Sequence, residues 1–263
     1  MAAAPALGTD RPRSEKTAIF RTFAYLLIPF MELVGKYRLH GTENLPATGA
    51  VVVAPNHYSD IDPIVIGYAM YKLKRMPRFL AKDSLFRVPV LGWMLTKAGQ
   101  VPVQRAGGTG ADPLAAARRI AAAGHAVVIY PEGTLTRDPD LWPMRGKFGA
   151  VRTALDAGIP LIPVVSWGAQ RILPRYGRIS LFPRKPVDVV FGEPLDLSPW
   201  AGRSSEGKAL GEATLLLMNT LAAMVGELRN EIPPVERWDP ADHGQSEIGN
   251  FEKNGGGTAT GRA

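Results

Sequence analysis

The 263-residue chain contains no cysteine, which excludes disulfides, thiolate metal sites and a cysteine nucleophile, and leaves the redox compartment undetermined. Histidine is scarce. His40, His57, His125 and His243 are the whole set, and no pair has the spacing that places two imidazoles on one helix face, so a zinc enzyme is not expected. No G-x-S-x-G elbow and no Walker loop occur, so neither a serine hydrolase nor a nucleotide hydrolase is supported. Uninterrupted apolar runs are short as well. The most apolar stretch near the start, AIFRTFAYLLIPFMELVGKY, is broken by Arg21, Pro29 and Glu32 well short of the roughly 20 residues needed to cross a bilayer.

What is present is an excess of positive charge, +7 at pH 7, which tilts the protein towards anionic partners. Nucleic acid, an anionic membrane surface and phosphorylated substrates all meet that description. Nucleic acid is disfavoured because the basic residues are scattered and no aromatic recognition pattern accompanies them. Residues 1–17 are expected to be a flexible arm. Residues 18–36 read either as a membrane-associating helix lying among the headgroups of an anionic leaflet or as a core helix of the same domain. Residues 37–232 form the predicted domain, and residues 233–263 a polar, disordered tail. Within the domain, apolar strands alternate with helices. The fold class predicted is a single α/β domain with a mostly parallel central sheet flanked by helices. KYRLHG and GAVVVAPN read as neighbouring strands joined by the turn TENLPATG. Residues 206–230 read as a long helix packed by one face.

The most informative stretch is APNHYSDIDP, residues 54–63, where a polar cluster interrupts an apolar run at a strand-to-helix switch. A histidine acts as a general base near neutral pH when a carboxylate fixes its tautomer and stabilises the imidazolium. His57 and Asp62 supply both parts, with Asp60 a competing partner. Asp62 before Pro63 also reads as a helix N-cap, and Ser59 as a turn former. With no enzyme nucleophile in view, the simplest chemistry is activation of a substrate hydroxyl. A second cluster, YPEGTLTRDPD, ends a strand in a turn with Glu132, Gly133, Thr134 and Arg137; it reads as an anion-binding turn or as a polar loop. Arg105 closes QVPVQR as an anion ligand or a surface charge. Arg145 and Lys147 are expected to open the next helix, where an anion could meet them.

Taken in order, NHYSDID, GQVPVQR, YPEGTLTRD and IPLIPV resemble the four motifs of the glycerolipid acyltransferases, those acting on 1-acylglycerol-3-phosphate among them. The resemblance implies that His57 is the base and Asp62 its orienting acid. It implies that Arg105, Glu132 and Gly133 bind the acceptor's glycerol phosphate, and that Pro163 shapes the acyl or acceptor site. It further implies a lysophospholipid acceptor, with acyl-CoA or acyl carrier protein as thioester co-substrate and no other cofactor, at the cytoplasmic face of the cell membrane. Leu135 stands where the third motif usually has arginine; Arg137 takes over that charge or the acceptor headgroup differs.

Overall fold

The computed structural model describes residues 18–103 and 112–246. In chain order the elements are α1 (Ala18–Val34), β1 (Gly35–His40), β2 (Val51–Pro55), α2 (Asp62–Lys72), β3 (Arg78–Lys82), α3 (Asp83–Phe86), α4 (Pro89–Lys97), β4 (Val101–Val103), α5 (Pro113–Ala122), β5 (Ala126–Val128), α6 (Gly149–Ala157), β6 (Leu161–Trp167), β7 (Lys185–Phe191) and α7 (Gly207–Arg229). The seven strands form one sheet in the order β1-β7-β6-β2-β5-β3-β4. Every neighbouring pair is parallel except β6 with β7.

β2 lies at the centre, and all five of its residues are buried. Its continuous apolar run has a simple cause, since helices cover both faces of the sheet. Val51 and Val53 meet Ile66 and Met70 of α2 and Met31 and Val34 of α1, whereas Val52 and Ala54 meet Ala117 of α5, Val151 of α6 and Leu217 and Leu221 of α7. Burying each such side chain contributes roughly 1.5–3 kcal/mol, so the strand bearing the polar cluster is also the best-anchored one. α7 is long and apolar enough to cross a membrane by length and composition, but over half of its apolar window is buried, as in a core helix.

Two sequence expectations are corrected by the structure. β1 and β2 are not neighbours, because β7 and β6 lie between them. Three strand spacings amount to ~14 Å, which the ten-residue connection between β1 and β2 spans easily. β7 alternates buried and half-buried residues, and its Val187, Val189 and Phe191 enter the core where β2 would otherwise have been expected. The polar tail expected from residue 233 is also partly ordered, because 233–246 lies against the domain. The Arg145 N–H donates to Trp238 O (2.9 Å), Arg145 pairs with Asp239 (3.1 Å), and Trp238 stacks on His243 with ring centroids 3.5 Å apart. Hydrogen bonds and one ion pair hold a segment, folded on itself by aromatic stacking, whose polar composition gave no such signal.

α1 combines the two readings of its sequence. Ala24, Met31 and Val34 are buried, and Glu32 accepts from Lys72 (2.9 Å) and Tyr68 (3.2 Å) of α2. Tyr25, Phe30 and Leu33 stay exposed, Tyr25 at 81%. The helix is docked by one side and apolar on another.

Candidate active site

β2 ends at Pro55, and the chain turns through Asn56, His57, Tyr58 and Ser59 before α2 begins. Asn56 makes the turn possible. Its side chain exchanges two hydrogen bonds with the Ser166 backbone of β6 (2.9 and 3.2 Å), continuing the ladder where the strand has stopped. Tyr58 donates its hydroxyl to Ser166 O, and Ser59 donates its own to Leu173 O (2.6 Å).

Asp62 is fully buried, and one oxygen, Oδ2, accepts three bonds: from His57 Nδ1 (3.0 Å), from the Tyr58 N–H (2.7 Å) and from the Ser59 N–H (2.8 Å). It is not the N-cap that its place before Pro63 predicts. The cap position is Ile61, without a side-chain bond, and Asp62 is the first helical residue, its carboxylate turned back into the preceding loop. Asp112 before Pro113 shows the contrast, since it does cap α5, accepting from the Leu114 N–H (3.0 Å). Asp60 is exposed and takes no part.

A carboxylate only accepts, so His57 carries its proton on Nδ1 and presents a basic Nε2. Among the described residues Nε2 has no hydrogen-bond partner. The imidazole is 12% exposed and packs against the Tyr130 ring, centroids 4.2 Å apart. The His57 backbone is held as firmly as its side chain. Its N–H donates to Glu132 Oε1 (2.9 Å), and its carbonyl accepts from the Thr136 N–H (2.6 Å). The other Glu132 oxygen accepts from the Met144 N–H (3.2 Å).

Glu132 is therefore a buried brace joining the His57 turn to the 130–147 loop, rather than an acceptor ligand at the surface. Burial pushes its pKa up to about 8, against the lowering effect of the Met144 and His57 N–H groups. Gly133 adopts φ +71, a left-handed turn that a β-carbon disfavours. A Cβ there would also lie 3.2 Å from the Lys147 side chain, so the glycine lets that chain cross the turn. Lys147 is exposed beside it, but the following helix starts only at Gly149, so neither Arg145 nor Lys147 opens it as expected. Thr134 is buried next to Arg137, its hydroxyl 3.5 Å from Nη2.

The expectation that Arg137 presents its charge to an anion is corrected. It is 1% exposed, and its guanidinium donates to Tyr176 Oη and to Ser246 O (3.2 Å). Leu135, two residues earlier, is buried. Pro163 lies inside the sheet opposite Ala54 and is buried. Arg105 falls outside the described residues. Reading the sequence alone misses Asn56, Tyr58, Ser166 and Tyr130. For Asn56 a signal existed, an amide at the end of an apolar strand; for the others the bond runs between distant segments.

Residues 36–167 match the Acyltransferase family. The chain is 30% identical over 171 residues to the 1-acyl-sn-glycerol-3-phosphate acyltransferase BAT2, chloroplastic, of Brassica napus, covering 62% of this chain and 47% of that protein. It is 28% identical over 214 residues to the 1-acyl-sn-glycerol-3-phosphate acyltransferase of Bacillus subtilis, covering 81% of this chain and 98% of that one. The chain spans about half the length of the plant and algal relatives it matches. The crystal structure of the LPA acyltransferase PlsC from Thermotoga maritima shares the fold, with a TM-score of 0.60 at 24% identity over 81% of this chain and 85% of that one. The matched region runs from β1 to the end of β6 and contains His57, Asp62 and Glu132, so the chain belongs to the acyltransferase family.

Proposed function

We propose that the protein transfers a fatty acyl group from a thioester to the free hydroxyl of 1-acylglycerol 3-phosphate. The observation that carries this reading is a His57–Asp62 pair whose Nε2 has no partner and meets no serine or cysteine nucleophile among the described residues, while burial keeps the neighbouring Tyr130 phenol protonated. The hydroxyls of Tyr58, Ser59 and Thr136 are all donated to carbonyls, which leaves the attacking oxygen to the substrate. His57 Nε2 takes the hydroxyl proton as that oxygen bonds to the thioester carbonyl carbon. Asp62 stabilises the imidazolium. The tetrahedral intermediate then breaks its C–S bond, and the proton passes from His57 to the departing thiolate.

The names of the relatives favour lysophosphatidate as acceptor, with the exposed Lys147 beside Gly133 as one cation at the acceptor loop. Acyl-CoA and acyl carrier protein are both suitable donors. Membrane attachment rests on the exposed apolar side of α1, which suits a peripheral or monotopic protein at the anionic cytoplasmic face.

The decisive experiment supplies purified protein with lysophosphatidate in mixed micelles and either thioester, and follows thiol release. The absence of cysteine makes a thiol reagent blind to the enzyme itself. Turnover that survives His57→Ala would defeat the mechanism, and a preference for another lysolipid would move the acceptor.

A further inference from the structure

The segment directly behind His57, residues 136–138, is surrounded by guanidinium groups from three parts of the chain. Arg137 belongs to the segment itself. Arg175, from the loop after β6, donates through Nη1 to Thr136 O and to Asp138 O (2.9 Å). Arg237 comes from residues 233–246, the strap that lies against the domain. One carboxylate, Asp138, lies in the field of Arg175 and of Arg237. Asp138 already accepts from the Asp140 N–H (2.8 Å) and the Trp142 N–H (3.2 Å).

Arg237 differs from the other two. Its Nε and Nη1 are buried and have no hydrogen-bond partner, and it makes no ion pair among the described residues. Burial works against its charge, and Asp138 is the group whose field favours it. An unpaired guanidinium in such a place is costly unless something else repays it. Nor is it there by looseness of the chain. The flanking residues fix the strap at Trp238 and Asp239 to Arg145, at Trp238 Nε1 to Gln245 (3.0 Å), and at Ser246 O to Arg137.

We propose that Arg237 is the specificity-determining cation for the acceptor, receiving its phosphate monoester beside the loop that braces His57. The assignment rests on the acyl-transfer reading above and deepens it. It also accounts for the buried Leu135 and the inward Arg137, because the charge that these two positions do not present comes from residues 233–246, outside residues 36–167. A phosphate monoester could also belong to the donor, as on coenzyme A, so the test separates the two substrates.

Steady-state kinetics of the full chain are compared for wild type, Arg237→Gln and Arg237→Lys, varying lysophosphatidate and acyl-CoA in turn and repeating with lysophosphatidylcholine as acceptor. Loss of one charge-assisted hydrogen bond predicts an acceptor KM raised about 10-fold or more in Arg237→Gln. The lysine variant recovers part of the loss. The KM for acyl-CoA, turnover at saturating acceptor and use of lysophosphatidylcholine stay unchanged, and inorganic phosphate competes with lysophosphatidate less well in the glutamine variant. Because Arg237 holds no hydrogen-bond partner and burial opposes its charge, Tm does not fall in either variant. An unchanged acceptor KM, a rise confined to the acyl-CoA KM, or a fall in Tm of Arg237→Gln that accounts for lost activity would each overturn the assignment. Wild type without acyl transfer to any acceptor would instead defeat the underlying reading.

Discussion

Replacing Asp62 by Asn isolates the charge of the acid from its geometry. The Tyr58 and Ser59 N–H groups that point at Oδ2 require an acceptor there, so the new amide must place its oxygen on that site. Its NH2 then falls at the position of Oδ1, which is buried and without a partner. In this orientation the Asn oxygen still accepts from His57 Nδ1, and Nε2 remains basic. What is lost is the carboxylate charge 3.0 Å from Nδ1. At an effective dielectric constant of about 20, a unit pair at that distance is worth about 5.5 kcal/mol, and about 3.3 kcal/mol with the imidazolium charge centred ~5 Å away. At ~1.4 kcal/mol per decade, turnover falls about 10²- to 10⁴-fold while acceptor and donor KM change little. Weakening three charge-assisted bonds and burying an unpaired NH2 also costs roughly 1–3 kcal/mol of stability, so activity is expressed per folded molecule. The assay is thiol release under saturating substrates, with Tm measured on the same samples. Exposed Asp60→Asn serves as the control and keeps nearly full turnover. Asp62→Asn within threefold of wild type, or Asp60→Asn as damaged as Asp62→Asn, would refute the assigned pair.

Glu132→Gln sets an amide nitrogen against the His57 or Met144 N–H, leaves a buried donor unsatisfied, and is expected to cost about 1–3 kcal/mol in denaturant unfolding, with reduced turnover. The same residue gives a pH signature. Its folded pKa of about 8 lies above the ordinary 4.5, so the folded state holds the proton more tightly. The stability this confers is complete below the lower value and is lost as pH rises through the upper one. The slope of Tm against pH in that window is therefore shallower in Glu132→Gln than in wild type, and identical slopes would count against it. Gly133→Ala forces a β-carbon into φ +71, which is expected to cost about 1–2 kcal/mol by chemical denaturation and to displace Lys147. Changing exposed Tyr25, Phe30 and Leu33 of α1 together to Ser leaves Tm unchanged and abolishes flotation with anionic liposomes; a collapse of Tm would show these residues to be structural instead.

Much of the site was legible from short-range pattern. The all-apolar run of β2 marks a doubly covered strand, and the polar residues that follow it mark where side chains leave the sheet. Spacing puts both Asp60 and Asp62 within reach of His57, and the resemblance to the acyltransferases singles out Asp62. The same proximity misled in one respect, because Asp-Pro at a helix start has two uses for its carboxylate. Asp112 faces forward and caps, whereas Asp62 faces back because two N–H groups and an imidazole meet it there.

Sequence by itself determined the alternation of strands and helices, the polar cluster that holds His57 and Asp62, and the basic character of the chain, since each is written in local periodicity, spacing or composition. Only the tertiary structure decided the rest. Sheet order put β7 between β1 and β6, and it brought Glu132 to the His57 N–H from 75 residues away. It also turned Arg137 inward and brought Arg237 into the field of Asp138. These outcomes depend on which strand ends meet and on whether burying a charge is repaid by partners from distant segments, and no local pattern encodes either.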